Sequence, residues 1–535
     1  MAVSEHTADV SHAMITTPVA TADWLVVSPI IITILGGVIC LMMRKQTKIQ
    51  PRIAIATLGL LMLSNFGLLA RVMDKGVITM VMGQWLPPYG IAFTVDATGA
   101  MLALIASIVA FATALYGVGD SDAASRRYGF YPFLMLLMTG VSGTFLTGDI
   151  FNLYVWFEVL LISSFGLLIL GSDKAQLDGA VKYGILNLIA TTLFLIATGY
   201  LYGLVGTLNM ADIPRSVAAL PNHAPITTVA MLYLLAFAMK AAAFPVNFWL
   251  PASYHTPRIA VAGVFAGLLT KVGIYALMRT MVMLLPVHHA LLAHVLAVVA
   301  VATMISGALG AMAQSDLRRA LGYLVISSIG SMLAGIAVST ALSLTGTILY
   351  AIHSIIVMTG LYFVTGMAGR MSGTFALREL GGLYGKSPLL ALAFIILAMS
   401  FSGLPPTSGF WAKVLLVDAS LKSDWPWLAG SILVAGFLTT IALARIGLYA
   451  FWRGGPEGTP DGTAFAYAEN ADMTAPDVTA AYTGMWLALG LLVGLSLFIG
   501  LAPDGLVAIA KTGAAGLVDP SGYIGSVFGG TGGHP

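Results

Sequence analysis

A succession of apolar runs, each about twenty residues long, sets the terms for this chain. They fall at 24–43, 53–71, 98–117, 127–147, 150–170, 179–205, 227–250, 259–284, 289–312, 319–341, 345–369, 388–421, 427–452 and 481–502. About twenty apolar residues in a helix cross the hydrocarbon core of a bilayer. Lipid offers no partner to the backbone, so each run must satisfy its own hydrogen bonds as a helix. The expected fold is all-α, a polytopic membrane protein with about 14 transmembrane helices. Composition agrees, with only 9% charged residues, against about 25% in soluble domains.

The same composition excludes several functions. A net charge of +2 gives no footprint for nucleic acid. The single cysteine, Cys40, lies in an apolar run and allows neither a disulfide framework nor a cysteine metal site. No glycine-rich phosphate loop and no carboxylate cluster is present, so neither a cofactor nor a metal is expected. Glu5 and Asp9 stand where a signal peptide would carry basic residues, so no removable leader is expected.

Two gaps exceed a short loop. Residues 72–97, rich in Pro and Gly, suggest an extended or hairpin-like cap, and the acidic stretch 453–480 reads as a solvated linker. The glycine-rich tail after Pro503 reads as loose. Lys and Arg concentrate in one set of loops, at positions such as Arg44, Lys45, Arg126, Arg127, Arg258, Arg318 and Arg319. The opposite set, in which Arg279 is counted, holds far fewer. The asymmetry places the first set in the cytoplasm and leaves both termini outside.

Four basic residues are read within spans: Lys240, Lys271, Lys413 and Arg445. Lys240 is followed by Phe244-Pro245, and Lys413 is preceded by Leu404-Pro405-Pro406. Proline removes a backbone donor and clashes with the preceding turn, so both helices should break. In lipid a break is tolerated where it faces protein or a wet cavity. The two broken spans echo each other, which suggests inverted repeats over 127–284 and 285–452. Residues 1–126 then form an N-terminal three-helix region, and 453–535 hold the linker, the last span and the tail. Inverted repeats with broken helices carry their sites near the bilayer midplane.

A lone charge in an apolar helix costs about 2.5–3.5 kcal/mol on insertion scales, so partners or functions are expected for each. Glu158, in Trp-Phe-Glu-Val-Leu, is the natural counter-charge for Lys240. The pair could serve packing or a path; ionisable residues inside membranes more often line paths. Lys271 lies mid-span with no neutralising neighbour in its own helix, too deep to snorkel. Lys413 could snorkel from a helix end. His353, in Ala-Ile-His-Ser-Ile, is as readily a packing residue as a relay. His255, before Thr-Pro and Arg258, could gate a route or cap a helix. Asp149 fits the positive end of a helix.

These segments resemble a known family. Gly148 to Glu158, Lys240-Ala-Ala-Ala-Phe-Pro-Val-Asn-Phe-Trp-Leu-Pro, His255-Thr-Pro, Lys271-Val-Gly-Ile-Tyr and Gly403-Leu-Pro-Pro-Thr-Ser-Gly-Phe-Trp-Ala-Lys413 are similar to the proton-translocating antiporter-like subunits. That family includes membrane-arm subunits of respiratory complex I and large subunits of Mrp-type cation/proton antiporters, and the likeness covers nearly the whole chain. The D-type branch of the Mrp sodium/proton antiporters fits best, since A-type subunits are far longer and one complex I relative has glutamate at the position of Lys413. The resemblance implies a charged pair, Glu158 and Lys240, a central relay at Lys271, a relay at His353 and a terminal lysine at Lys413. It implies breaks at Pro245, Pro405 and Pro406 that free carbonyls for water, and a hetero-oligomer with an A-type subunit and several small subunits. Proton flow along this row, coupled to sodium export at the cell membrane, is the implied function. A redox-driven pump subunit of a complex I-like or hydrogenase-type assembly is the alternative.

Overall fold

A computed structural model describes residues 14–15, 19–221, 225–454 and 478–529. Apolar helices occupy all the expected places. α1 is Ser28–Met42, α2 Gln50–Lys75, α3 Ala97–Asp120, α4 Phe130–Leu146, α5 Ile150–Leu168 and α6 Lys174–Val205. α7 is Ile226–Ala241, α8 Ile259–Leu284, α9 Pro286–Ala313, α10 Leu317–Val338 and α11 Ala341–Ser372. α12 is Pro388–Ser402, α13 Ser408–Lys422, α14 Pro426–Gly447 and α15 Val478–Leu501. Among the described residues, 10 helices are long and apolar enough to cross a membrane, and α1, α4, α7 and α12 are shorter apolar helices.

Burial divides the bundle into centre and periphery. The apolar cores of α8 and α11 are 100% buried and that of α10 is 89% buried, whereas α2 and α6 are 28% and 33% buried. The fully enclosed helices, α8 and α11, are the ones that carry Lys271 and His353. Small residues allow the close approach. A Cβ at Gly273 of α8 would sit 2.9 Å from the backbone nitrogen of Ala241, so α8 lies directly against α7 there. Thr359 of α11 donates to the carbonyl of Gly263 in α8 at 3.1 Å.

Both proline breaks are present. α7 ends at Ala242 and α12 at Gly403, each in the left-handed conformation, with φ of 62° and 82°. Each end closes with the same wide bond: Ala243 N–H to Ala238 at 2.8 Å, and Leu404 N–H to Met399 at 3.0 Å. This is the Schellman pattern, which satisfies the last carbonyls of a helix. Residues 72–97 do form a hairpin, β1 Ile78–Val81 antiparallel to β2 Ala92–Val95.

Three expectations are corrected or fall elsewhere. The tail after Pro503 is not loose: it forms α16, Asp504–Val518, and α17, Ser521–Phe528. Ala510, Gly513, Ala514 and Leu517 are buried at helical spacing, and glycine serves as a close-packing residue rather than a breaker. Arg279 is not a loop residue; it is 1% exposed inside α8. The linker reading of 453–480 falls largely outside the described residues.

Candidate functional site

The site is a set of basic groups, three buried and one half-buried, on helices that touch. Lys240, in the last turn of α7, is 3% exposed, and its Nζ has no hydrogen-bond partner among the described residues. The expected contact with Glu158 is not made: among the described residues no ion pair joins them, and Glu158 is half-buried on α5. The ring of Phe157 faces the ammonium instead, its centroid 5.5 Å away. Phe157 and Glu158 are neighbours on one helix, so turning the ring inward turns the carboxylate aside. A void of about 150 Å3 between Phe157, Phe194, Phe237 and Lys240 is too narrow to admit water.

Lys271, 1% exposed, donates to the carbonyl of Ala266 at 2.7 Å. That carbonyl belongs to a π turn, Phe265–Leu269, directly before the lysine. A second π turn, Met278–Leu284, follows. Widened turns tilt carbonyls off the helical ladder and often mark functional positions. Proline did not announce them, and nothing else in the local sequence does.

His353 is fully buried in α11. Its Nδ1 lies 2.8 Å from Ser408 Oγ and 3.4 Å from Ser400 Oγ. Ser496 of α15 completes the group, 2.8 Å from Ser400 and 3.0 Å from Ser408. Nε2 has no partner among the described residues. The charged groups that act on it are Lys413 and Lys271. Lys413, on α13, donates to the carbonyls of Phe401 and Ser402 at 3.0 and 2.8 Å. These are the last carbonyls of α12, which carry the negative end of the helix dipole. The lysine faces a groove of about 590 Å3 lined by Gly403, Phe410, Val414 and Phe437. Asp418 pairs with Lys422 at 2.7 Å, leaving Lys413 without a carboxylate among the described residues.

His255 lies outside the membrane helices, in a polar cavity of about 340 Å3 with Asp178, Lys182, Gln314 and Arg319. Nδ1 meets the Pro251 carbonyl at 2.8 Å and Nε2 meets Arg319 at 3.1 Å. Burial, and then the Arg319 guanidinium, hold its imidazole below the usual histidine range. Asp149 caps α5 through the Asn152 N–H at 2.7 Å, the structural role its position suggested. Arg445 donates to the Met312 carbonyl and lies 5.7 Å from the Tyr449 ring. Pro245, Pro405 and Pro406 sit within the two breaks. Among the described residues, no three of His, Cys, Asp and Glu stand together as metal ligands would.

One buried charge escaped the sequence reading. Arg279 meets Asp96 at 2.6 Å and Tyr275 Oη at 3.0 Å, between the rings of Tyr275 and Tyr523. Asp96 caps α3 and also accepts from Gly99 N–H. This cation has what the lysines lack.

Comparisons with known proteins agree with this architecture. A family model described as "NADH:quinone oxidoreductase/Mrp antiporter, TM" matches residues 147–439. A protein from Alkalihalophilus pseudofirmus, named as the D-type subunit of a Na(+)/H(+) antiporter, is 36% identical over 505 residues, 94% of this chain and 99% of that one. Its namesake from Bacillus subtilis is 33% identical over 504 residues, again 94% and 99%. A chain in the solved Mrp complex from Dietzia sp. superposes with a TM-score of 0.84 at 28% identity, covering 95% of this chain and 100% of that one. The chain is a member of the NADH:quinone oxidoreductase/Mrp antiporter family of multi-pass membrane proteins.

Proposed function

We propose that this chain is the D-type subunit of a multisubunit sodium/proton antiporter and carries protons through the row Lys240, Lys271, His353 and Lys413. One observation carries the reading: three buried basic groups and a half-buried lysine, none ion-paired with a carboxylate among the described residues, lie on adjoining helices, two of them beside broken ends. A buried ammonium without a counter-charge costs several kcal/mol, so such groups persist where gaining and losing a proton is their task. Glu158 is the mobile element of the inlet. Rotation that replaces the Phe157 ring with the carboxylate stabilises the charged Lys240; return to the arrangement described here removes that support and sends the proton toward Lys271. His255 and its polar cavity form the approach from the loop side, and the breaks at Pro245 and Pro405-Pro406 give the row its flexible ends.

The chain acts as a secondary transporter subunit in the cell membrane, both termini outside, with an A-type subunit and small subunits as partners. Residues 127–284 and 285–452 are the inverted repeats of this plan, flanked by 1–126 and 453–535. Inward proton flow drives sodium export. The family also serves redox-driven pumps, but the relatives named above are antiporter subunits, which favours exchange.

The test is Lys271→Ala in the whole complex, assayed as sodium-dependent proton flux in vesicles. Loss of antiport with normal assembly is expected; full antiport would overturn the row.

A further inference from the structure

We propose that the groove between α1 and α4 is the seat of one anionic phospholipid, with an acyl chain laid between the two helices and the phosphate held by Arg44 and Arg127. This site lies apart from the proton row, and neither depends on the other.

The walls follow from helical spacing. Ile34, Val38 and Leu41 recur every three or four residues on α1 and are 44%, 50% and 56% exposed. Pro132, Phe133 and Leu136 face them from α4. Between the two stripes runs an apolar groove of about 380 Å3. Gly37 lets the walls meet beneath it: a Cβ there would lie 3.3 Å from Met135 Cβ.

Chain direction orients the groove. α1 runs toward Arg44 and α4 runs away from Arg127, so both arginines line the same end. At the other end Thr139 donates to Thr33 at 2.9 Å, and this bond between two buried side chains closes the groove. From Tyr128 to Thr139 the chain rises by about 16 Å. Half of a hydrocarbon core is about 15 Å. The groove therefore spans one leaflet, from the headgroups to the midplane.

The mouth suits an anion. Gly129, at φ 119°, turns the short helix Ala123–Tyr128 into α4 and sets Arg127 and Tyr128 at the rim. Arg126, one residue earlier, is used by the fold: it donates to Ser121 Oγ and to the carbonyls of Thr47 and Val118. Arg44 and Arg127 make no side-chain hydrogen bond or ion pair among the described residues, and no carboxylate among them lines the groove. Loop arginines on this side follow from topology alone. Two unspent guanidiniums at the open end of an apolar groove are a narrower signal, because their forked donors match a phosphate. Basic pockets between membrane helices hold anionic head groups in this way. Tyr128, 71% exposed, adds an amphipathic ring at the same level.

Shape selects the occupant. About 380 Å3 spread over about 16 Å leaves a section of about 24 Å2. A partner's helix is about 10–12 Å across and would run the full width of the membrane. One extended acyl chain fits, and the second chain lies beside it in the bilayer. Other apolar grooves lack such a mouth. The groove of about 630 Å3 between α12 and α15 has no charged lining residue, and Lys413, in the groove beside α13, is bonded to carbonyls.

The experiment places the intact complex in phosphatidylcholine vesicles with a trace of probe lipid. The probe is phosphatidylglycerol or phosphatidylcholine with a diazirine at the end of one acyl chain. Illumination is followed by peptide mapping with mass spectrometry. Phosphatidylglycerol should label Thr33, Ile34 and Leu136 about thirtyfold more than phosphatidylcholine does, the scale of two arginines acting on an anionic head group. Arg44→Gln with Arg127→Gln should remove the preference, and Arg44→Lys with Arg127→Lys should keep most of it. Val38→Trp fills the groove and leaves both charges. It should bring phosphatidylglycerol labelling down to the phosphatidylcholine level, which provides a second check should the double variant fail to assemble. Equal labelling by the two lipids in the parent overturns the proposal, as does a preference that survives the glutamines or Val38→Trp. Absence of labelling by either lipid also overturns it, since another chain then covers the groove.

Discussion

Helix α8 holds two buried cations in opposite ways. Arg279 is saturated by a carboxylate, a phenol and two aromatic faces, with Asp96 at 2.6 Å. Lys271, on the same helix and equally enclosed, has one carbonyl at 2.7 Å. A buried charge that stays put must be compensated, because its desolvation cost runs to several kcal/mol. A group that alternates between charged and neutral cannot be compensated so completely, or one of its states would be fixed. Lys240, with no hydrogen bond among the described residues, and Lys413, with two carbonyls and no carboxylate, fall on the side of Lys271. Degree of saturation thus separates the charge that builds the fold from the charges proposed to move protons through it.

The comparison can be broken by substitution. The largest effect is expected at Arg279. Arg279→Leu strands Asp96 in the interior and should cost about 3–5 kcal/mol, read as a lowered Tm and poor recovery of the complex. The double replacement Arg279→Leu with Asp96→Leu should regain much of that loss, since an apolar pair of similar volume is often as stable as a buried ion pair. A double variant no better than the single would show that the ion pair is not what holds this end.

Lys413→Met comes next. It leaves the carbonyls of Phe401 and Ser402 without their donor and should lower stability by about 1–3 kcal/mol. An unchanged Tm would mean that those bonds are not made in the membrane. Gly403→Ala should cost about 1 kcal/mol, because φ is 82° at this position and a side chain there is strained. Its Cβ would also lie 2.5 Å from Lys413 Cδ, so transport should fall together with Tm. At the foot of the series stands Lys271→Ala, whose thermal stability should stay within about 1 kcal/mol of the parent, since only one weakly supported charge is removed. A loss as large as that of Arg279→Leu would erase the distinction between the two cations.

Much of this was legible in the residues. Each of α1–α15 followed from an apolar run, and both breaks from proline, because these signals are local. Lys240, Lys271 and Lys413 stood out because charge in an apolar run is costly wherever its partner lies. What the sequence hid depends on rotation and on distant contacts. Glu158 was matched to Lys240 by charge, but helical phase turns Phe157 toward the lysine. Arg279 was set among loop residues because its partner, Asp96, caps a helix far earlier in the chain. The serine group at His353 draws on α12, α13 and α15, and no serine carries a signal alone. The tail was misjudged by counting glycines; the spacing of Ala510, Gly513, Ala514 and Leu517 was the better guide.

That tail has a consequence for how the protein is made. Tyr523 lies over Arg279, Ser526 meets Thr79 of the hairpin at 2.9 Å, and Phe528 lies under Arg215. All three contacts join residues of the C-terminal helices to residues inserted much earlier. While the ribosome works, the Arg279–Asp96 pair must sit in the half-built bundle with one side open. Insertion of the helices and completion of the fold are therefore separate events, and the second waits for α16 and α17 to arrive.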